Sequence, residues 1–191
     1  MKILPANIRL TEAVLYTLFW ILIPALSDAE EEPSLAQALN YLKENATGSW
    51  IRFDGGDFVS ETEYSDFATD VKNQFLIVDQ YERAVLKSTG RVISTGWRRL
   101  TIPLAALDPE LTAVTSQQSF VISSVKVFFV SLISRDEETA ITFEGTEKRG
   151  DKPERTITGA WPECYLVFQD QDCAERLHQA LIRAIKLSNS K

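Results

Sequence analysis

The sequence predicts an α+β domain in which an antiparallel sheet, curled or closed into a barrel, is combined with an N-terminal helix and a C-terminal amphipathic helix. Two observations carry this prediction. Apolar residues recur at helical spacing near both ends of the chain, after residue 33 and after residue 171. Between these segments, short runs of β-branched and aromatic residues alternate with turn residues, without helical patterns between them. Such spacing is typical of antiparallel sheets rather than parallel α/β sheets.

The N-terminal helix is predicted to begin after Ser34. Ser34 and Gln37 have the spacing of a capping box, in which each side chain bonds the backbone N–H of the other residue. We expect the helix to end near Asn45, because Gly48 follows. The apolar positions have the i, i+3, i+4, i+7 spacing of one helical face: Leu35, Ala38, Leu39 and Leu42.

Ten segments between residues 49 and 168 have the composition of strands, and we do not expect all ten to be real. The charged stretch from Glu144 to Arg155 is predicted to form a long exposed hairpin loop, because it contains two glycines and a proline. The ten segments are 49–53, 64–70, 74–81, 84–88, 97–103, 111–115, 120–131, 139–144, 155–159 and 164–168.

The C-terminal helix has the most regular pattern in the chain. Asp172 and Glu175 have capping-box spacing, which predicts a helix start at Asp172. An amphipathic helix beside a strand-rich body must bury its apolar face against the sheet. That face consists of Ala174, Leu177, Leu181, Ala184 and Ile185, with Leu187 or Ser188 at its end.

Residues 1–29 have the layout of a secretory signal peptide. Lys2 and Arg9 precede an apolar run from Ala13 to Leu26. This run is shorter than the roughly 20 residues that a permanent transmembrane helix needs. The predicted signal would engage the export machinery, which places the folded part in the periplasm or outside the cell.

The position of signal cleavage is not unique. Cleavage after Ala29 is preferred, cleavage after Ser27 also satisfies the small-residue rule, and an uncleaved signal anchor is the alternative. The predicted organisation is a signal peptide over 1–29, an acidic linker over 30–33, and a single domain over 34–191.

The charge balance argues against a nucleic-acid partner. The chain has 20 Lys and Arg against 27 Asp and Glu, a net charge of -7, whereas nucleic acid attracts basic surfaces. Acidic neighbours dilute the denser of its two basic groups. These groups are Lys148, Arg149, Lys152 and Arg155, and the pair Arg98 and Arg99.

Recognisable sets of catalytic residues are missing, and although a hydrolase could use two of the many carboxylates, no pair of them stands out. The chain has one histidine, His178, which excludes sites built from several histidines, and it has no glycine-rich phosphate loop. We therefore expect no enzymatic activity and no cofactor, metal or catalytic residues, and we leave the ligand-binding residues unassigned. The acidic residues that could be considered for calcium do not match the spacing of the established calcium loop: Asp54, Asp57, Glu61 and Glu63.

The two cysteines, Cys164 and Cys173, are predicted to be buried free thiols. A strand that begins at Cys164 and runs to Phe168 would carry the chain about 13 Å away, at ~3.3 Å per residue. A disulfide needs Cα atoms within roughly 7 Å. Pairing therefore requires the following helix to fold back along the strand, which is the less favoured alternative.

The order of these elements resembles that of uncharacterised bacterial secreted domains with a pleckstrin-homology-like barrel and a capping C-terminal helix. The resemblance covers about residues 34–188. It is carried by the segments around Ser34, from Thr101 to Pro109, from Tyr165 to Phe168, and from Ala174 to Leu187. It implies a fold and no catalytic residues.

The resemblance does not imply phosphoinositide binding. Members of this fold that bind phosphoinositides use a basic loop after the first strand, whereas Phe53 is followed here by the acidic turn Asp54–Asp57.

The function expected from the sequence is that of an exported, non-enzymatic binding or protein-interaction module. Its partner is an unknown protein, which would bind at an exposed strand edge or loop. The alternative is a periplasmic carrier of a small apolar ligand or lipid. Its cavity would lie under the C-terminal helix and be lined by Leu177, Leu181 and Ile185.

Overall fold

Two α-helices and nine β-strands make up the part of the chain that the computed structural model describes, residues 34–190 without 55, 71, 73, 119–125 and 136–138. These residues belong to one compact unit, Pro33–Lys191. The predicted signal peptide and the acidic linker lie outside the described residues.

The helices are α1 (Leu35–Asn45) and α2 (Gln171–Ser188), and a 3-10 turn, Leu104–Ala106, follows the fourth strand. The strands are β1 (Ile51–Asp54), β2 (Phe58–Thr69), β3 (Phe75–Leu86), β4 (Val92–Pro103), β5 (Ala113–Gln118), β6 (Lys126–Ile133), β7 (Ile141–Arg149), β8 (Arg155–Trp161) and β9 (Glu163–Phe168).

The strands form two antiparallel sheets, which confirms the predicted α+β class. One sheet has the order β1-β2-β3-β4-β7-β8 and the other the order β5-β6-β9. A closed barrel is not found among the described residues. The chain leaves the large sheet after β4 through the 3-10 turn, builds β5 and β6 separately, and returns to pair β7 with β4.

One hydrophobic core joins both sheets and both helices. The helices pack against each other, and the Arg176 guanidinium lies 4.6 Å from the ring centre of Tyr41. The largest fully buried side chains come from strands, helix and 3-10 turn alike: Tyr64, Phe67, Phe168, Leu42, Leu76, Leu100, Ile102, Leu104, Leu107, Leu132, Ile141 and Leu166.

The predictions for α1 are confirmed. Both hydrogen bonds of the capping box between Ser34 and Gln37 are present, at 3.3 and 2.8 Å, and the helix ends at Asn45. Its four predicted apolar residues are all buried.

The predicted N-cap of α2 is wrong by two residues. Asp170, not Asp172, is the N-cap, because its carboxylate accepts a hydrogen bond of 2.8 Å from the backbone N–H of Asp172. The core face of α2 includes Leu177, Leu181 and Ile185, all fully buried, and also Ala180, which was not predicted. Leu187, one of the two residues offered for the end of this face, is 60% exposed and does not belong to it.

Several strand predictions change where the large sheet extends beyond the core. Segments 74–81 and 84–88 form one strand, β3, because Glu82 and Arg83 pair with β4 without interruption. Residues 58–63, not predicted as strand, begin β2. The predicted long loop from Glu144 to Arg155 is also wrong, since β7 continues to Arg149 and β8 begins at Arg155. Gly150, with φ of 55°, makes the tight reversal possible.

Tyr64 connects the two sheets. Its hydroxyl accepts a hydrogen bond of 2.6 Å from the backbone N–H of Val167, on the edge of the small sheet. Its ring centre lies 4.8 Å from that of Phe67 and 5.6 Å from that of Phe168. Complete burial raises the pKa of the Tyr64 hydroxyl, so the group stays protonated.

Replacing Tyr64 by Phe should destabilise the domain while preserving its shape. The Val167 N–H would lose its acceptor inside the core, which costs about 1–3 kcal/mol in the free energy of unfolding. Denaturant unfolding of the variant measures this loss. Tyr81→Phe is the matched control because Tyr81 is 47% exposed. Equal stability of the Tyr64 and Tyr81 variants would contradict the connecting role of Tyr64.

Glycine allows β4 and β7 to approach closely. Gly145 is paired with Arg98, and a Cβ atom at Gly145 would overlap the backbone carbonyl of Trp97. At Gly159, on β8, an added Cβ would instead meet the side-chain ring of Phe143 at 2.6 Å. A side chain can move out of the way more easily than backbone, so the two glycines tolerate substitution differently.

We expect Gly145→Ala to lower the free energy of unfolding by about 1–3 kcal/mol, because the backbone of β4 must shift. Gly159→Ala should cost less, since only the Phe143 ring has to move. Thermal or denaturant unfolding of the two variants makes the comparison. If Gly159→Ala proved the more destabilising, the close approach of β4 and β7 would not be a constraint.

Candidate functional site

The inner face of the large sheet changes from apolar to polar along its strands. Within the core, Phe67, Val78 and Leu100 are paired in one row across β2, β3 and β4. Side chains on a strand alternate between faces, so residues an even number of positions away share this inner face. Four positions from Val78 on β3, the same face carries Glu82, and four positions from Leu100 on β4 it carries Gly96, which is paired with Glu82.

This polar end of the inner face contains a cleft of about 250 Å³, called the polar cleft below. Backbone and side chains of β2, β3, β4 and β7 line it: Ser60, Glu61, Thr62, Glu82, Arg83, Ala84, Ser94, Thr95, Gly96, Arg98, Thr146 and Glu147.

Glu82 is held by two neighbours. The Arg98 guanidinium lies 2.7 Å from one carboxylate oxygen, and the side-chain amide of Gln80 donates to the other at 2.6 Å. Burial raises the pKa of Glu82, although Arg98 and Gln80 oppose this shift. Arg98 also lies 5.5 Å from the ring centre of Trp161, which fixes its position.

The pKa of Glu147, on β7, is shifted in the opposite direction from that of Glu82. Arg155 and Arg149 each lie 2.8 Å from one of its carboxylate oxygens. Their hydrogen bonds hold the pKa of Glu147 below its ordinary value. The two carboxylates that face the cleft are therefore both ion-paired.

Glu61 is nearly buried, with 4% of its side chain exposed, between two guanidinium groups. Arg52 lies 2.7 Å from one oxygen, and Arg83 binds the other while its guanidinium lies 4.3 Å from the ring centre of Trp50. In the described ranges no group of three or more His, Cys, Asp or Glu side chains could hold a metal ion.

A second surface lies at the edge of the large sheet. β8 pairs with β7 on one side, and within the part of the chain that is described its other side has no backbone hydrogen-bond partner. Residues 156–161 contain neither a charged residue nor proline. Most side chains of β8 are exposed, while Ile157 and Trp161 are partly buried.

The four arginines among the basic residues singled out from the sequence are distributed among separate ion pairs. Adjacent positions on a strand face opposite ways, so Arg98 reaches Glu82 whereas Arg99 forms a two-pronged pair with Asp79, at 2.8 Å for both bonds. Arg149 and Arg155 flank Glu147. The Arg98–Arg99 pair therefore does not form one basic patch.

His178 has a packing role on α2. It lies partly buried, and its Nε2 donates to the backbone carbonyl of Thr112 at 2.9 Å, which attaches the helix to the segment before β5. Both cysteines are buried and free, as predicted. Burial raises the pKa of Cys164 to about 12 and that of Cys173 to about 11, which disfavours reactive thiolates.

The three residues proposed to line a cavity under α2 lie in the core: Leu177, Leu181 and Ile185. A groove of about 420 Å³ occurs instead near the C-terminal end of α2 and the start of α1. Leu35, Ala184 and the exposed Leu187 contribute to its lining.

The residue pattern alone did not predict the polar cleft or the free edge of β8. A weak signal was present, because the alternate positions of β3 that begin with the apolar Leu76 and Val78 continue with the polar Gln80 and Glu82. Two such residues on one face indicate a sheet face that leaves the core.

No described helix is both long enough and apolar enough to cross a membrane. Comparisons with protein-family models, with curated proteins and with solved structures find no match to this chain.

Proposed function

We propose that the protein is an exported, non-enzymatic binding module that accepts an extended segment of a partner protein along the edge of β8. One observation carries this: β8 presents a seven-residue strand edge, Arg155–Trp161, that no described backbone group covers. Strand addition at such an edge is a recurring mode of peptide recognition, in which backbone hydrogen bonds supply affinity.

The composition of β8 supports this role. Protein edges are usually protected against pairing by lysine, proline, a bulge or a short length. Between Arg155 and Trp161, β8 contains no lysine and no proline. Its pairing with β7 is regular over seven residues, without a bulge. Threonine and isoleucine at its centre favour extended backbone.

The side chains of β8 indicate which residue types the partner segment would contain. Ile157 and Trp161 lie on the inner face with Arg155, since the three residues are separated by even numbers of positions. Arg155 is 62% exposed at the hairpin end. The bound segment would place apolar side chains beside Ile157 and Trp161 and an acidic side chain beside Arg155.

The pleckstrin-homology-like assignment and the location outside the cytoplasm belong to the same hypothesis. Two antiparallel sheets packed with a C-terminal helix support the former. Only the residue pattern of 1–29 supports the latter.

Selection of peptides on the purified protein tests the β8 edge. We expect selected peptides to be extended, rich in β-branched residues, and to slow amide hydrogen exchange within residues 155–161. Thr158→Lys, which adds a charge at the strand edge, should weaken their binding at least tenfold.

Thr142→Lys on β7 is the matched control, because Thr142 is exposed on an interior strand. It should leave peptide binding unchanged. A library without binders, or binders protecting other strands, would overturn the β8 assignment.

The carrier alternative is supported by the groove near the end of α2, whose lining includes Leu35, Ala184 and Leu187. Expression of the full chain in a bacterial host, followed by native mass spectrometry of the exported protein, separates the two functions. For the interaction module we expect the mass of the polypeptide without a bound ligand. That polypeptide would begin at Glu30, or at Asp28 if cleavage follows Ser27. A lipid-sized adduct lost on denaturation would favour the carrier, and retention in the cytoplasm would contradict export.

A further inference from the structure

We infer that the polar cleft binds a neutral, hydroxyl-rich ligand about the size of one sugar ring. The cleft lies on the inner face of β2, β3, β4 and β7, whereas the edge proposed above for peptides belongs to β8. The inference therefore concerns a second site, with a different class of ligand.

The size and floor of the cleft suit a single ring. Its volume of about 250 Å³ is smaller than the roughly 300–1,000 Å³ of pockets for drug-sized ligands. Gly96 lies between Glu82 and Glu147 in one row across three strands, and a Cβ atom there would meet the backbone carbonyl of Thr146 at 2.6 Å, so backbone forms the floor at this point. Two strand spacings separate the backbones of these glutamates by about 10 Å, which leaves room for a ring between them.

The charges of the cleft argue for a neutral ligand. The three charged side chains on this face of the cleft are ion-paired: Glu82, Arg98 and Glu147. An anion or a cation would have to replace an existing partner, which leaves a partly buried charge uncompensated. A hydroxyl group instead can donate to a free lone pair of a carboxylate without breaking its ion pair.

The polar groups also fit a ligand with several hydroxyls. Carboxylates accept charge-assisted hydrogen bonds, which are shorter and stronger than neutral ones. Three further lining residues carry hydroxyls that both donate and accept: Ser60, Thr62 and Ser94. The Glu82 carboxylate is already oriented by Arg98 and Gln80, so binding need not order it.

Chemical-shift titration of the ¹⁵N-labelled protein tests this site. The probes are glucose, galactose, mannose and N-acetylglucosamine, each at millimolar concentrations typical of single-ring ligands. We expect at least one sugar to shift the amides of Gly96 and Glu147 saturably. Lysine and glutamate, as charged probes, should not do so.

Two matched variants separate binding from folding. Ser94→Tyr fills the cleft and should weaken the sugar response at least tenfold. Thr142→Tyr adds the same side chain to an exposed position outside the cleft and should preserve the response. Absence of a saturable shift with all four sugars, a response to lysine or glutamate instead, or an equal response of both variants would overturn the inference.

Discussion

The hydrogen bond between the Tyr64 hydroxyl and the Val167 N–H ties together parts that strand pairing alone leaves separate. The two sheets have no shared ladder, so their relative position depends on side chains packed between them. Val167 lies on an edge strand, where an N–H without a partner would be costly inside the core. Tyr64 supplies that partner at 2.6 Å, and its ring is tilted against Phe67 and stacked on Phe168. One side chain thus satisfies a buried polar group and fills the core.

The polar end of the inner face arises because the large sheet is longer than the core that covers it. Where α1, α2 and the small sheet cover the strands, the inner face is apolar; beyond them the same face carries Thr62, Glu82 and Glu147. Charges remain there because each is paired, as Glu82 is with Arg98. The polar cleft is therefore a consequence of this difference in length, whereas the edge of β8 exists because β8 is the last strand of the large sheet. They differ in chemistry, since the edge offers backbone groups and the cleft offers side chains.

Much of the fold was predictable from local patterns. The bounds of α1 followed from Ser34, Gln37 and the spacing of its leucines, because capping and helical periodicity depend on neighbouring residues. Residues 58–63 and the end of β7 were missed, because there a strand with two polar faces has no alternation of apolar residues. Of the candidate sites, the sequence identified the residue types but not their grouping.

The sequence by itself determined the α+β class, the two helices with most of their core residues, and two buried cysteines, because each depends on composition or local spacing. Only the tertiary structure decided that the strands form two sheets, that Arg98 and Arg99 serve opposite faces, and that Glu82 and Glu147 flank Gly96. These features depend on which strands pair and in what register, and pairing between distant segments is not encoded in any short stretch of the chain.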